Sequence, residues 1–173
     1  MATGTLVSVK EYLNTSYDPD CDYVDGEVLE RNWGEREHSE LQAELVFFLC
    51  GLRKQYGFHV FPEQRVQVRP TRFRIPDICV VLGKRPSTAL FVEPPFLCIE
   101  ILSKDDRYSA LREKIADYQS FGVKYVWVID PSTRKADVYG PDGCHEAKDG
   151  ILSTSDPDIS VSLPDLYRSL EHP

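Results

Sequence analysis

Residues 96–102 read Phe-Leu-Cys-Ile-Glu-Ile-Leu, a short run that is apolar on both faces and carries one carboxylate, Glu100. A run of this kind fits a central strand covered on both sides. Residues 105–121 follow with helical spacing: Leu111, Ile115, Tyr118 and Phe121 form one stripe, and Gly122 closes it. Tyr125 to Ile129 is a second buried strand, stopped by Asp130-Pro131. Strand, helix and strand make a crossover unit, which requires the two strands to be parallel. The strand expected at Phe73–Leu82 reaches residue 96 through a loop with three prolines, so that pair is expected to be antiparallel. Pro76 confines the first of these strands to an edge, a bulge or a strand start. The fold class that follows is mixed α/β (α+β), a mixed β-sheet flanked by helices.

Elsewhere the signals are local. Ser8 and Glu11 have the spacing of a capping box, which predicts a short helix. Tyr23–Leu29 reads as a β-hairpin turning at Asp25-Gly26, with a loop at 32–34 after it. Leu41, Leu45, Phe48 and Leu52 define the buried face of a first long helix over Glu37–Gln55. Further strands are expected at Phe58–Phe61, Arg65–Val68, Lys135–Tyr139 and Ser160–Leu163, the last followed by a helical turn.

A chain of 173 residues, 42% hydrophobic and 28% charged, fits one globular domain. It has no apolar run of membrane-spanning length, and Met1–Lys10 lacks the pattern of a secretory signal, so the expected location is cytoplasmic. The five cysteines are dispersed and read as reduced, buried thiols; with four scattered histidines they do not suggest zinc. The net charge of −8 counts against a phosphate-backbone partner. Its distribution does not. Residues 65–85 hold six basic side chains and one acid, Asp77, and so carry +5, leaving −13 elsewhere. That run is either the solvated face of a β-ribbon or a positive border to a site.

Four side chains stand out for chemistry. Glu100 is costly in a covered strand unless an arginine pairs with it or a metal binds it. Asp77 is either a turn residue after Pro76 or, if the two strands pair antiparallel, the residue facing Glu100. Two carboxylates at that distance repel unless a cation lies between them, and an all-oxygen pair suits Mg²⁺ or Mn²⁺. With Leu111 at zero and 100° per residue, Lys114 falls at about 300°, between Phe121 and Tyr118. It therefore either snorkels to the rim or reaches the acids. On the first helix, with Leu41 at zero, Glu44 lies at about 300° and His38 at about 60°. Both flank the buried stripe and are either ordinary helix residues or further site members. Two acids and a lysine suit phosphodiester hydrolysis: the metal polarises the phosphoryl group and the lysine offsets developing charge.

Arg74-Ile75-Pro76-Asp77, Cys98-Ile99-Glu100-Ile101-Leu102-Ser103, Lys114 with Tyr118, Gly122-Val123 and Tyr125-Val126-Trp127-Val128-Ile129-Asp130-Pro131 together resemble the Uma-type restriction-endonuclease-like family of the PD-(D/E)XK nuclease superfamily. The hairpin at Tyr23–Glu27, His38 on the following helix and the closing Leu163-Pro164-Asp165-Leu166 fit as well, so the likeness spans nearly the whole chain. It implies a single restriction-endonuclease-like domain with its core at about residues 37–140 and an N-terminal hairpin extension. It implies a Mg²⁺-dependent DNA endonuclease, or alternatively a non-catalytic module of the same fold that binds nucleic acid or a protein. Asp77 matches the first acid of the motif and Glu100 the second. The residue two after Glu100 is Leu102 rather than lysine, and Lys114 matches the position to which the lysine moves in several branches. Glu44 would be the helix acid, a possible third ligand. Tyr118, His38, Ser103 and Arg74 are expected to support the site or the substrate, with Ser103 capping the following helix. DNA is the implied partner, and a homodimer fits the superfamily's habit of cutting as pairs.

Overall fold

The computed structural model describes residues 6–31 and 35–171. The loop expected at 32–34 lies outside the described residues. Helix α1 (Val9–Asn14) starts at Ser8, whose hydroxyl accepts from the Glu11 N–H, the first half of the expected capping box. Strands β1 (Asp22–Val24) and β2 (Glu27–Leu29) form the hairpin. Asp25 and Gly26 both have positive φ there (49° and 105°), which this tight turn demands and Gly26 meets without strain. Helix α2 (Arg36–Tyr56) ends at Gly57 in the left-handed conformation.

The strands that follow are β3 (Phe58–Pro62), β4 (Val66–Arg69), β5 (Arg72–Arg74), β6 (Ile78–Leu82) and β7 (Leu97–Ile101). The strand expected at Phe73–Leu82 is therefore two. Pro76 cannot donate to a ladder, and the chain uses Ile75–Asp77 to pass from one sheet to another. Helix α3 (Tyr108–Phe121) starts three residues later than the sequence suggests, because residues 103–106 close a turn instead. Next come β8 (Tyr125–Asp130), β9 (Lys135–Gly140), β10 (Gly143–Glu146), β11 (Ile151–Ser153), β12 (Ser160–Ser162) and α4 (Leu163–Glu171).

Six strands form the main sheet in the order β10-β9-β8-β7-β6-β3. As expected, β7 is parallel to β8 and antiparallel to β6. The hairpin is not an appendage: β2, β1, β5 and β4 make a second, four-stranded sheet. Alternation along β6, β7 and β8 sends Ile78, Val80, Leu97, Ile99, Ile101 and Trp127 into one core with Leu41, Leu45 and Leu49 of α2 and with Leu166 and Tyr167 of α4. The opposite face sends Cys79, Cys98, Val126 and Val128 against Ile115 and Tyr118 of α3 and Val66 and Val68 of β4. Every residue of β7 is buried, and a fully buried Leu or Ile contributes about 1.5–3 kcal/mol, so this strand anchors both cores. Cys21, Cys79 and Cys98 are buried free thiols, whereas Cys144 departs from the expectation and is exposed on β10. Among the described residues no helix is long and apolar enough to cross a membrane.

Candidate functional site

The register Ile78↔Ile99 carries one step further to set Asp77 opposite Glu100. By the same alternation both carboxylates share the α3 face with Cys79 and Cys98. Asp77 lies just before β6, and its Oδ2 accepts the Ile101 N–H at 2.7 Å. From α3, Lys114 Nζ donates to Glu100 Oε2 at 2.8 Å and to the Ile75 carbonyl at 3.0 Å. Tyr118, one turn on, donates to Glu100 Oε1 at 2.7 Å. Lys114 and Tyr118 reach the same carboxylate because a spacing of four residues stacks them on one face. Glu100 and Lys114 are thus bonded to each other, while Asp77, opposite Glu100 in the register, bonds to the Ile101 N–H and acts on both through its charge.

His38, in the first turn of α2, places Nε2 3.6 Å from Asp77 Oδ1 and Nδ1 3.5 Å from Ser103 Oγ. Gln42, four residues on, donates to the Asp77 carbonyl at 2.9 Å and to Glu63 Oε1 at 2.7 Å. Arg31, two residues past β2, donates to Asp77 Oδ1 at 2.6 Å and also pairs with Glu63. A hollow of about 220 Å³ opens beside His38 at the ends of the parallel strands, bordered by Leu102, Ser103 and Asp130.

The electrostatics are uneven. Burial, reinforced by the nearby Asp77 charge, pushes the Glu100 carboxyl up to about 7 against the opposing pull of Lys114. Burial also raises Asp77, but His38, Lys114 and Arg31 outweigh it and hold that carboxyl below its usual range. Burial disfavours the Lys114 ammonium, yet Asp22 and Glu100 more than restore it and it stays charged. His38 likewise gains a raised pKa, because Asp77 outweighs its desolvation. Burial drives the Tyr118 phenol well above its ordinary range, so it remains a donor to Glu100.

Two expected members lie elsewhere, and a third borders the hollow without its expected capping role. Glu44 accepts from Ser169 Oγ of α4, not from the site. The α2 stripe has two flanks; His38 and Gln42 occupy the one facing the carboxylates, and Glu44 the one facing α4. Arg74 is buried between Asp22 and Asp117 at 3.2 and 2.7 Å, so its charge is already matched. Ser103 does not cap α3, whose N-cap is Arg107; its backbone N–H donates to Asp106 while its hydroxyl neighbours His38. The basic run does not border the site as free charge either. Arg65 pairs with Asp20, and Arg69, Arg72 and Arg74 converge on Asp117.

The sequence reading missed Arg31, Gln42 and Glu63. Glu63 had a signal: pairing β3 with β6 sets Pro62 opposite Ile78 and so Glu63 beside Asp77. Nothing local marks Arg31.

Among the described residues no three His, Cys, Asp or Glu side chains converge closely enough to hold a metal by themselves. Two buried carboxylates are still a donor set that a hard cation takes when water and phosphate oxygens complete its shell, the usual manner of Mg²⁺. The residues fit that kind of site, provided Arg31 yields Asp77 Oδ1.

The solved structure described as "a putative nuclease belonging to DUF820", from Anabaena variabilis, matches the fold with a TM-score of 0.81 at 24% identity. The match covers 95% of this chain and 99% of that one. No curated protein matches the chain. The family model described as "Uma2: Putative restriction endonuclease" matches residues 9–171, nearly the full length, and the chain belongs to that family.

Proposed function

We propose that this protein is a Mg²⁺- or Mn²⁺-dependent endonuclease that hydrolyses phosphodiester bonds in DNA. One observation carries the reading: the strand register sets the buried Asp77 opposite the buried Glu100, and Lys114 Nζ lies 2.8 Å from Glu100 on the same face. Family membership and the fold support the same class. In this reading Asp77 and Glu100 hold the cation. When bound, the cation offsets phosphoryl charge and makes water a better nucleophile. Lys114, kept as an ammonium by Asp22 and Glu100 and anchored on the Ile75 carbonyl, presents the chain's own positive charge to the reacting phosphate. Tyr118 fixes the orientation of Glu100. His38 at the mouth of the hollow, its pKa raised because Asp77 outweighs its burial, is the side chain there suited to carry a proton.

A second reading, a non-catalytic DNA- or protein-binding module, draws on the Arg31 guanidinium seated on Asp77. Plasmid nicking in Mg²⁺ or Mn²⁺ separates the two. Nicking by the wild type with a loss of about 100-fold or more in Glu100→Gln and Lys114→Ala is expected for a transition-state charge contact. Equal nicking by all three proteins contradicts the assignment, and no nicking by the wild type favours the binding module.

A further inference from the structure

The six cations of residues 65–85 part company in the fold. Arg65, Arg69, Arg72 and Arg74 each face a carboxylate. Lys84 and Arg85, just past β6, are exposed, and no carboxylate among the described residues pairs with them. Arg53 and Lys54, in the last turn of α2, are in the same condition. The backbone joins the two pairs. The Gly83 N–H donates to the Gly57 carbonyl at 2.9 Å, Phe58 pairs with Leu82, and His59 Nε2 donates to the Gly83 carbonyl at 3.1 Å. Arg53, Lys54, His59 and Arg85 then line one groove of about 520 Å³ with Phe58 and Phe61, and no carboxylate lines it.

Cations in the last turn of a helix complement its dipole, which accounts for Arg53 and Lys54 but not for Lys84 and Arg85. A chain of net charge −8 that gathers four unmatched cations in one place leaves −12 on the remainder. That segregation suits a polyanion held by this face and kept off the others. The four cations are exposed and spread over two segments, which suits a string of phosphates rather than one enclosed phosphate.

We propose that this groove binds the sugar–phosphate backbone of duplex DNA at a distance from the cutting point, a proposal that rests on the nuclease reading above. The spacing sets that distance. From Asp77 to Gly83 the chain runs along β6 for six residues, or about 20 Å at ~3.3 Å per residue. At ~3.4 Å per base pair this is about six base pairs along a duplex. The groove therefore acts only on substrates that extend at least that far to one side of the scissile phosphate.

Fluorescence anisotropy in EDTA tests the groove without any cleavage, using a 30-base-pair duplex and an 8-base-pair duplex. The combined Arg53→Ala, Lys54→Ala, Lys84→Ala and Arg85→Ala variant is expected to bind the long duplex about tenfold or more weaker. Its slope of log K against log salt should fall by about 3 to 4, close to 0.9 per lost phosphate contact. The short duplex should lose much less, and Arg53→Lys with Arg85→Lys should keep the wild-type slope. Lys84→Glu alone, at an exposed turn, should show a partial loss if the combined variant does not fold. An unchanged affinity and slope in both variants overturns the proposal, as does stronger competition by polyglutamate or duplex RNA than by unlabelled DNA. Nicking assays on the same proteins keep the two readings apart. A lost slope without any wild-type nicking leaves the groove standing and removes the hydrolytic site. Wild-type nicking with an unchanged slope does the reverse.

Discussion

Two buried charge clusters sit on either side of Ile75, and they differ in kind. In the first, Arg74 is wedged between Asp22 and Asp117, while Arg72 and Arg69 add their guanidiniums to Asp117 at 3.1 and 3.7 Å. Asp22 takes the Ile75 N–H with its other oxygen. Fixed cations match the carboxylates and all but close the set, Asp22 alone reaching on to Lys114 at 3.9 Å, and together they tie β1 and β5 to α3. In the second, Glu100 faces Asp77 across the β6–β7 pair and burial lifts its carboxyl to about 7, well above the ordinary carboxylate range. The Arg31 that balances Asp77 comes from the tail of the hairpin rather than from either strand. The contrast separates a cluster whose carboxylates are held by fixed guanidiniums from one in which burial raises a carboxyl enough to keep a proton on it. A cation bound at the second would take the place of that proton.

The sharpest break in this comparison is to remove a cation from the closed cluster. Arg74→Ala should cost about 3–5 kcal/mol of stability, because it removes the one buried guanidinium between Asp22 and Asp117 and leaves Asp117 to the more exposed Arg72 and Arg69. Thermal or denaturant unfolding reads this directly. A loss below 1 kcal/mol would show that water compensates both acids and that the cluster is not closed.

A smaller effect is expected at the open cluster. Arg31→Ala frees Asp77 Oδ1 and Glu63 from their guanidinium. The affinity for Mn²⁺ should then rise several-fold, worth about 1 kcal/mol, since one competitor for the carboxylate has gone. Weaker Mn²⁺ binding in this variant, measured by calorimetry, would instead make Arg31 a support for the cation site.

How much of this was legible in the sequence depended on the range of each contact. Glu100, Lys114 and Tyr118 lie within one crossover unit, where helical spacing and strand alternation are enough to set them on a common face. Asp77 followed from a single antiparallel pairing. Arg74 failed for a different reason. The sign of the basic run was plain, but its partner Asp22 lies 52 positions away in a hairpin whose place in the second sheet no local pattern reveals. Glu44 failed because a helical wheel gives two flanks to a stripe and does not say which one α4 will cover. Arg31 and Glu63 depend on β3 lying beside β6 and on where the chain goes after β2, both of which are tertiary choices. The two-sheet division itself turns on Pro76, which in the sequence only confines a single strand to an edge, a bulge or a strand start and does not mark the point where the chain changes sheets.

The most direct test of the central claim, that positions 77 and 100 form a cation-seeking pair, is a calorimetric Mn²⁺ titration of the wild type, Asp77→Asn and Glu100→Gln across pH 5.5–8.5. Glu100 must lose its proton to bind a cation, so affinity should level off above about pH 7 and fall about tenfold per unit below it, more steeply once His38 is also protonated. The account predicts one Mn²⁺ per wild-type chain with this profile and none in either variant, while all three unfold cooperatively. Equal Mn²⁺ binding by the three proteins, or wild-type binding without dependence on pH, would contradict it.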